Sequence, residues 1–547
     1  MTRRPFPGSA GPRAPEATGP HAPRAGEPRA PESRAPLASN PWGGAPPLPG
    51  GFRLVLDPAA RRLDGGRTLL GGAPLRLLRL SETGSRLLDR LLDGATVTEA
   101  AAAERADAGR LARRLVDAGV AHPRPPDGGH PGPVAAVVPV RDRGDRVGRT
   151  VAALAGLAEV VAVDDGSRDA SAAVARAAGA RVVQRPAPGG PAAARNAGLA
   201  ATTASLVAFV DSDCVPEPGW LGPLLVHFAD PVVAAVAPRI GGRRAASGRP
   251  FERYESVRAP EDRGPVEGLV RPRGRIAYVP SAALLVRREA LVAVGGFDEA
   301  LRFGEDVDLV WRLVDAGWTV RYEPASRVRH DHRRTLGPLL ARRLAYGTSA
   351  APLARRHAHR VAPLQVSAWS ALAWALAGLG HPLAGGTVAA ATTAQAARGL
   401  SRLEHPWREA ARVAGAGHWR AGRLVADAVS RTWLPLAVAA ASGNRRARLV
   451  LLACVGIAGL ADWRERQPAL DPLRYVGLRL LEDAAYCTGV WLGCARHRTV
   501  APLLPDLSGL PGRGRRRRAG ESGDGGWDAR PQAGRLGWRG GDARANV

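Results

Sequence analysis

The octapeptide LVAFVDSD at residues 206–213 joins a short apolar segment to two carboxylates. Five consecutive apolar residues with polar neighbours are typical of a β-strand that is buried on both faces. Asp211 and Asp213 would then lie at the carboxyl end of this strand, where open α/β sheets bind their ligands. Paired carboxylates suit a hard divalent cation, Mg²⁺ or Mn²⁺. Because Asp-x-Asp also occurs on ordinary solvated loops, the surrounding sequence must decide between the two interpretations.

Apolar runs and helical patterns alternate around this octapeptide, which predicts an α/β domain over residues 131–335. The predicted strands cover residues 134–140, 160–163, 181–184 and 206–210. The predicted helices lie near residues 146–157, 171–178 and 192–201. Strands that are so continuously apolar fit a parallel sheet with both faces covered.

A second acidic cluster, Asp164-Asp165, directly follows the strand predicted at residues 160–163. A carboxylate at that strand end can accept hydrogen bonds from a uracil imide or from ribose hydroxyls. The alternative is an Asp-Gly turn with a helix cap supplied by Ser167 or Asp169. The residues alone leave both interpretations open.

A third acidic cluster, Glu305-Asp306, opens a helical pattern whose buried face would carry Val307, Val310 and Trp311. Asp306 is well placed to act as a general base that takes a proton from a hydroxyl group. The alternative is a carboxylate that only stabilises the helix, because the helix dipole favours negative charge at the N-terminus.

In their order along the chain, these motifs resemble the family 2 glycosyltransferases, which have a GT-A, Rossmann-like α/β fold. The resemblance rests on VVPV at 137–140, VDDGS at 163–167, ARNAG at 194–198, FVDSD at 209–213, GGFDE at 295–299 and GEDVDL at 304–309. It implies an inverting hexosyltransferase that uses a nucleotide-sugar donor and a divalent metal, Mn²⁺ or Mg²⁺.

The resemblance also implies a role for each candidate residue. These roles are nucleoside contacts at Pro139, Asp164 and Asp165, contacts to metal and diphosphate at Asp211 and Asp213, and a catalytic base at Asp306, assisted by Glu305. Arg195 would lie near the donor, where a guanidinium can pair with a phosphate or a sugar. The alternative for Arg195 is a salt bridge that holds its helix.

Three details depart from the family pattern. Arg141 stands where an aromatic residue is common, so stacking on the base would differ. The Gln-x-x-Arg-Trp motif of processive synthases is missing, and residues 342–347 occupy that region, which argues against polymer extrusion. His330 and His332 follow the base region and either complete a phosphate or metal site or are ordinary structural histidines.

The segment before the α/β domain, residues 51–125, reads as a small α+β domain. Residues 52–56 alternate like a strand, and Leu87, Leu88, Leu91 and Leu92 have the spacing of one buried helix face. Such a unit is winged-helix-like and resembles the PqqD-type peptide-binding domains. DNA binding is disfavoured because no helix presents an arginine-rich reading face.

The segment after the α/β domain, residues 336–505, is predicted to be an apolar helical region. Residues 361–397 contain no Asp, Glu, Lys or Arg, a run longer than the roughly 20 residues that span a bilayer. A membrane helix with an interfacial piece, a helical hairpin and a soluble helical domain are all compatible with it. The flanking segments, residues 1–50 and 506–547, have the composition of disordered chain.

The formal net charge of +27 comes from arginine alone, since the chain contains no lysine. Such a bias fits base-composition pressure, so we expect no nucleic-acid partner and read the charge as suited to a membrane surface or a phosphorylated substrate. The four cysteines are scattered and predict neither a zinc site nor an oxidising compartment. No apolar run follows Arg3 and Arg4, so we expect no secretory signal and a catalytic part that is cytoplasmic or at the cytoplasmic side of the membrane.

The layout of the whole chain resembles the mycofactocin-system glycosyltransferases of actinobacteria. This resemblance implies transfer of β-linked glucose from a UDP-sugar donor, UDP-glucose, to a small acceptor, a redox cofactor made from a peptide. Two alternatives remain. One is a membrane-associated transferase that builds cell-wall or exopolysaccharide glycan on a lipid carrier, and the other is a winged-helix protein that binds nucleic acid.

Overall fold

The computed structural model describes residues 45–126, 128, 132–242, 249–331, 335–358 and 360–508. Most of the two segments predicted to be disordered, and His332, lie outside these residues. The predicted boundaries need correction where the structure describes them. Leu48 is buried in the core of the front unit, and residues 506–508 form a strand, so ordered chain extends into both segments.

The front unit is an α+β fold of five strands and three helices. Its elements are β1 (Arg53–Leu56), β2 (Arg61–Leu63), β3 (Thr68–Gly71), β4 (Arg76–Arg79), α1 (Glu82–Leu92), α2 (Val97–Glu104), α3 (Ala108–Asp117) and β5 (Ala121–Arg124). Strands β2, β3 and β4 form one antiparallel sheet, and β1 pairs with β5. The predicted leucine face of α1 packs into the core around Phe52. The likeness to a peptide-binding domain stays a prediction.

The α/β domain follows. Its elements are β6 (Val134–Val140), α4 (Val147–Ala153), β7 (Glu159–Asp164), α5 (Ser171–Ala177), β8 (Arg181–Gln184), α6 (Pro191–Ala201), β9 (Leu206–Val210), β10 (Cys214–Pro216), α7 (Gly222–Leu225), β11 (Val233–Gly242), α8 (Pro250–Val257), β12 (Gly268–Leu269), β13 (Ala283–Arg287), α9 (Arg288–Ala293), α10 (Glu305–Asp315) and β14 (Thr319–His330). Every strand and helix expected between residues 134 and 210 is present, although α4 ends earlier than its pattern indicates.

One sheet organises this domain, with the order β10-β14-β11-β13-β9-β6-β7-β8 and β12 paired to β14. Strands β9, β6, β7 and β8 are parallel, as predicted. Beyond these four strands the sheet is mixed, because β13 runs antiparallel to both β9 and β11. The strands are nonetheless buried on both faces. Phe209 packs into the core on one side with Trp311, and Val210 packs on the other side with Phe228.

The region after the sheet is helical. Its elements are α11 (Leu336–Thr348), α12 (Ala350–Arg356), β15 (Gln365–Ser367), α13 (Ala368–Gly378), α14 (Pro382–Gly399), α15 (Pro406–Arg431), α16 (Leu434–Gly443), α17 (Arg445–Arg466), α18 (Pro472–Arg496) and β16 (Asp506–Ser508). Strands β15 and β16 pair in parallel. Among the helices of the described ranges, none alone has the length and apolarity to cross a bilayer; α15 and α16 meet the criterion only as a pair, with an 87° bend between them.

Helices α11 and α18 cross at unusually close range. A methyl group on Gly347 would clash with the carbonyl oxygen of Tyr486, and one on Gly489 would clash with that of Leu344. Because backbone meets backbone at this crossing, only glycine fits at both positions. The crossing holds α18 against the helix that directly follows the α/β sheet.

Candidate active site

The acidic clusters converge because of the strand order. Strands β6, β7 and β9 are parallel neighbours, so the residues that follow them meet at one edge of the sheet. A cavity of about 1390 Å³ opens at this edge. Seven of the eight candidate residues line it, namely Pro139, Asp165, Arg195, Asp211, Asp213, Glu305 and Asp306. We call this part of the cavity wall the floor.

Asp164 is the candidate that does not line the cavity. It is buried, and its Oδ1 accepts a hydrogen bond from the backbone N–H of Ser167 at 3.0 Å. Gly166 lies between them with φ of 74°, which a residue with a side chain adopts only with strain. The Asp-Gly turn is therefore present, and a contact from Asp164 to a nucleoside stays a prediction.

Asp165 anchors the loop that leads into α6. Its carboxylate accepts hydrogen bonds from the backbone N–H groups of Gly189 at 2.9 Å and Gly190 at 2.7 Å, and it pairs with Arg185. These contacts hold the loop of residues 185–190 beside the cavity. Asp165 thus shapes the site as well as facing it.

Arg195 joins two of the motifs. Its guanidinium is buried and donates to Asp211 Oδ1 at 2.7 Å and to Glu305 Oε1 at 2.9 Å, while it lies 5.4 Å from the centre of the Phe297 ring. Burial acts to lower the pKa of Arg195, but the two carboxylates outweigh it and raise the pKa above its ordinary value. The salt-bridge alternative is therefore what the structure contains, and the bridge spans the site. A contact to the donor stays a prediction.

Glu305 and Asp306 form a coupled acidic pair at the start of α10. Burial and the neighbouring Asp306 charge raise the pKa of Glu305 to about 7, against the lowering effect of Arg195. Burial also raises the pKa of Asp306, although Val307 donates its N–H to Asp306 Oδ1 at 2.8 Å and Arg263 lies nearby. A carboxylate with a raised pKa is a more effective proton acceptor, because its basicity moves toward the working pH.

The best candidate for holding a cation is the end of β9 together with the end of β14. Among the described residues, Asp213, Cys214 and His330 place ligand atoms within 4.8 Å of one another. His330 Nε2 lies 3.6 Å from Asp213 Oδ1. Burial and the charges of Asp213 and Asp211 raise the pKa of the Cys214 thiol.

Asp213 and His330 offer a carboxylate and an imidazole ligand in this cluster, and the partly exposed carboxylate of Asp211 stands two residues before Asp213 in the chain. Oxygen-rich donor sets of this kind suit Mg²⁺ or Mn²⁺. The acidic half of this set was predicted from the sequence. For His330, the sequence left open whether it completes a metal or phosphate site or is an ordinary structural histidine. Its proximity to Asp213 depends on the pairing of β10 with β14, which no motif indicates.

Other cavity residues were missed by the sequence motifs. Arg263 stacks on the Tyr278 ring at 4.0 Å, and Arg342 donates to the Tyr346 hydroxyl. Burial acts to raise the pKa of Glu261, but the charges of His330, Arg342 and Arg343 bring it below its ordinary value. Of these residues, only those within 342–347 could be noticed in the sequence. The Arg-Arg and Tyr-Gly pairs there occupy the region where processive enzymes carry a Gln-x-x-Arg-Trp motif.

Another part of the cavity wall comes from the helical region. Helices α15, α17 and α18 contribute Arg423, Asp427, Arg431, Asp462, Glu465, Arg466, Arg479, Glu482 and Tyr486. We call these nine residues the roof. All are polar, which contrasts with the apolar composition of the region as a whole.

Comparison with known proteins places the chain. Residues 135–294 match the family model for glycosyl transferase family 2. A pre-mycofactocin glycosyltransferase from Mycobacterium tuberculosis is 42% identical over 474 residues, which are 84% of this chain and 98% of the relative. The succinoglycan biosynthesis protein ExoU from Rhizobium meliloti is 37% identical over 199 residues, 34% of this chain and 58% of the relative.

Among solved structures, a mannosyltransferase from Pyrobaculum calidifontis in complex with GDP-Man and Mn²⁺ is 21% identical, with a TM-score of 0.32. The match covers 50% of this chain and 77% of that one. Sheet, acidic edge and family model together define a family 2 glycosyltransferase. Within that class, the chain belongs to the family of the pre-mycofactocin glycosyltransferases.

Proposed function

We propose that this enzyme transfers glucose from UDP-glucose, with inversion, to pre-mycofactocin, a peptide-derived precursor of a redox cofactor. The observation that carries the acceptor is the identity of 42% over 98% of a pre-mycofactocin glycosyltransferase. The convergence of donor-side and base-side carboxylates in one cavity supports the chemistry.

Asp306 is the base in this proposal. It lines the cavity at the N-terminus of α10, and its raised pKa suits removal of a proton from the acceptor hydroxyl. The oxygen then attacks the anomeric carbon from the face opposite to the departing diphosphate, which inverts the configuration. Glu305, whose pKa is raised to about 7, assists Asp306 in this proposal and is oriented by the hydrogen bond from Arg195.

Pro139 and Asp165 border the nucleoside side of the donor in this proposal, with Asp164 fixing the adjoining turn. Asp211, Asp213 and His330 would hold the divalent cation. When bound there, the cation supplies Lewis-acid stabilisation of the diphosphate leaving group. Arg195 keeps Asp211 oriented beside Glu305, because one guanidinium binds both.

The decisive experiment supplies purified enzyme with UDP-[¹⁴C]glucose, Mn²⁺ and pre-mycofactocin. We expect a labelled product whose mass exceeds that of the acceptor by one hexose or more, with a β-linkage by NMR. Transfer to decaprenyl phosphate alone would instead favour the lipid-carrier alternative. Replacement of UDP-glucose by GDP-mannose serves as the donor control.

We also propose that the enzyme works at the cytoplasmic side of the membrane. Helices α13 and α16 lack charged side chains yet expose Trp369, Leu436 and Val438, and Leu383 at the start of α14 is 86% exposed. Arg445 and Arg446 follow directly, and a basic rim beside an apolar surface suits anionic lipid. Flotation with phosphatidylglycerol vesicles is the test, and recovery of all enzyme in the lipid-free fraction would contradict it.

A further inference from the structure

The cavity is larger than a donor alone requires. Single-ligand pockets measure about 300–1,000 Å³, and this cavity measures about 1390 Å³. The candidate donor residues all lie on the floor, at the strand ends. Asp306, which must reach the acceptor hydroxyl, lines the same cavity as the roof. The roof is one part of the cavity wall that the donor candidates leave without an assigned role.

The roof is electrically balanced. Its four arginines each have a carboxylate partner within the helical region: Arg423 pairs with Glu465, Arg431 with Asp483 at 3.3 Å, Arg466 with Asp462 at 2.9 Å and Arg479 with Asp427. A wall that recognises a diphosphate presents uncompensated cations. A wall with equal numbers of donors and acceptors recognises uncharged groups that both donate and accept hydrogen bonds.

Several buried arginines that line the cavity carry a donor atom without a hydrogen-bond partner among the described residues. Arg479 is buried and its Nη1 has no hydrogen-bond partner within the described chain; the same holds for Nε of buried Arg343 on α11. Leaving a buried donor unpaired is unfavourable, so such groups favour an oxygen atom beside them, from water or from a ligand. Tyr486 adds an aromatic ring to the same wall.

We propose that the roof is the acceptor-binding site, and that it selects an uncharged acceptor bearing hydroxyl and amide groups. This inference rests on the proposed function for the identity of the reaction. It assigns acceptor recognition to α15, α17 and α18, which lie beyond the segment matched by the family model. The helical region is then part of the active site as well as a candidate for membrane contact.

The test uses Arg423 and Glu465, because both line the cavity and an ion pair that is at least partly exposed contributes little to folding. Arg423→Gln and Glu465→Gln are each compared with Arg420→Gln, an exposed change on the same helix that does not face the cavity. With pre-mycofactocin as the acceptor, we expect its KM to rise about tenfold in both cavity variants. The KM for UDP-glucose and the rate of UDP release without acceptor should stay at wild-type values.

An acceptor KM unchanged in both cavity variants, or raised equally in Arg420→Gln, would overturn the proposal. So would efficient competition by decaprenyl phosphate, since that ligand is charged and carries a long apolar chain. Calorimetry of pre-mycofactocin with the wild type and Arg423→Gln tests acceptor binding by the roof separately from the proposed transfer reaction. Binding that weakens in the variant supports the roof even if no sugar is transferred, whereas absence of binding to the wild type overturns it.

Discussion

The floor and the roof of the cavity are both built from carboxylates and arginines, but the two walls differ in how these charges are paired. On the floor, carboxylates outnumber their arginine partners. Burial and the Asp306 charge raise the pKa of Glu305 to about 7, and burial raises that of Asp306. On the roof, each arginine is matched by a carboxylate, as in the pair Arg466–Asp462. The excess of carboxylates on the floor favours proton transfer, whereas the paired charges of the roof give a neutral surface that suits acceptor binding. Floor variants should therefore change kcat, and roof variants should change the acceptor KM.

The largest expected effect is that of Asp306→Asn. Because an amide cannot accept the proton, we expect kcat to fall by about 10²–10⁴-fold. Nucleotide binding, measured by calorimetry with UDP and Mn²⁺, should remain close to that of the wild type. Weak UDP binding in this variant would show that the residue is structural and would break the assignment of chemistry to the floor.

Asp308→Asn is the matched control on the same helix. Asp308 is buried and accepts from Arg312 at 2.7 Å, Arg356 at 2.9 Å and His357 at 2.9 Å. Burial acts to raise its pKa, but these partners hold it well below the ordinary value. The carboxylate therefore stabilises the fold above the unfolded pKa, and this stability is lost as the pH falls through the folded pKa.

We expect Asp308→Asn to lower the free energy of unfolding at neutral pH by about 3–5 kcal/mol, because it leaves buried cations without their partner. Urea denaturation at pH 7 measures the loss. The kcat of the remaining folded enzyme should stay near the wild-type value. A large fall in kcat without loss of stability would move this residue into the chemistry.

Asp213→Ala should remove the cation dependence of nucleotide binding. In the wild type we expect Mn²⁺ to strengthen UDP binding, and in the variant we expect that gain to shrink by about 10–100-fold, as is usual when a metal site is disturbed. Titrations with and without Mn²⁺ measure it. Equal gains in both proteins would contradict the cation site at the end of β9.

Glu305→Gln should have the smallest effect, a change in the pH profile near neutrality. Because burial and the Asp306 charge raise the pKa of Glu305 to about 7, this carboxyl loses its proton near neutral pH, and glutamine removes that titration. A step near pH 7 in the kcat profile of the wild type should therefore be missing from the variant. A step that persists near pH 7 in the variant would show that Glu305 is not the group that titrates there.

The floor could be predicted from the sequence because each of its motifs is contiguous. Five consecutive apolar residues predict the strand β9, and Asp211 and Asp213 follow directly, so the sequence also predicts carboxylates at the end of this strand. Parallel pairing of β6, β7 and β9 then follows from the alternation with helices. The antiparallel β13 was not foreseen, because an apolar strand that is buried on both faces carries no mark of its direction.

The roof could not be predicted, since its residues come from helices that are far apart in the sequence. Arg423 and Glu465 meet only after α15 and α17 pack together, and neither belongs to a motif. The apolar composition of residues 361–397 favoured membrane contact and gave no indication of a polar cavity wall. Arg195 was predicted at the site, but its dual pairing required the position of α10.

The close crossing of α11 and α18 determines where this protein can be divided. Gly347 and Gly489 bring the two helices into backbone contact, so α18 stays attached to the segment that follows β14. A fragment cut near residue 335 would lose one wall of its cavity along with its last helices. An attempt to change the acceptor by exchanging parts between relatives should therefore move residues 336–508 as a single block.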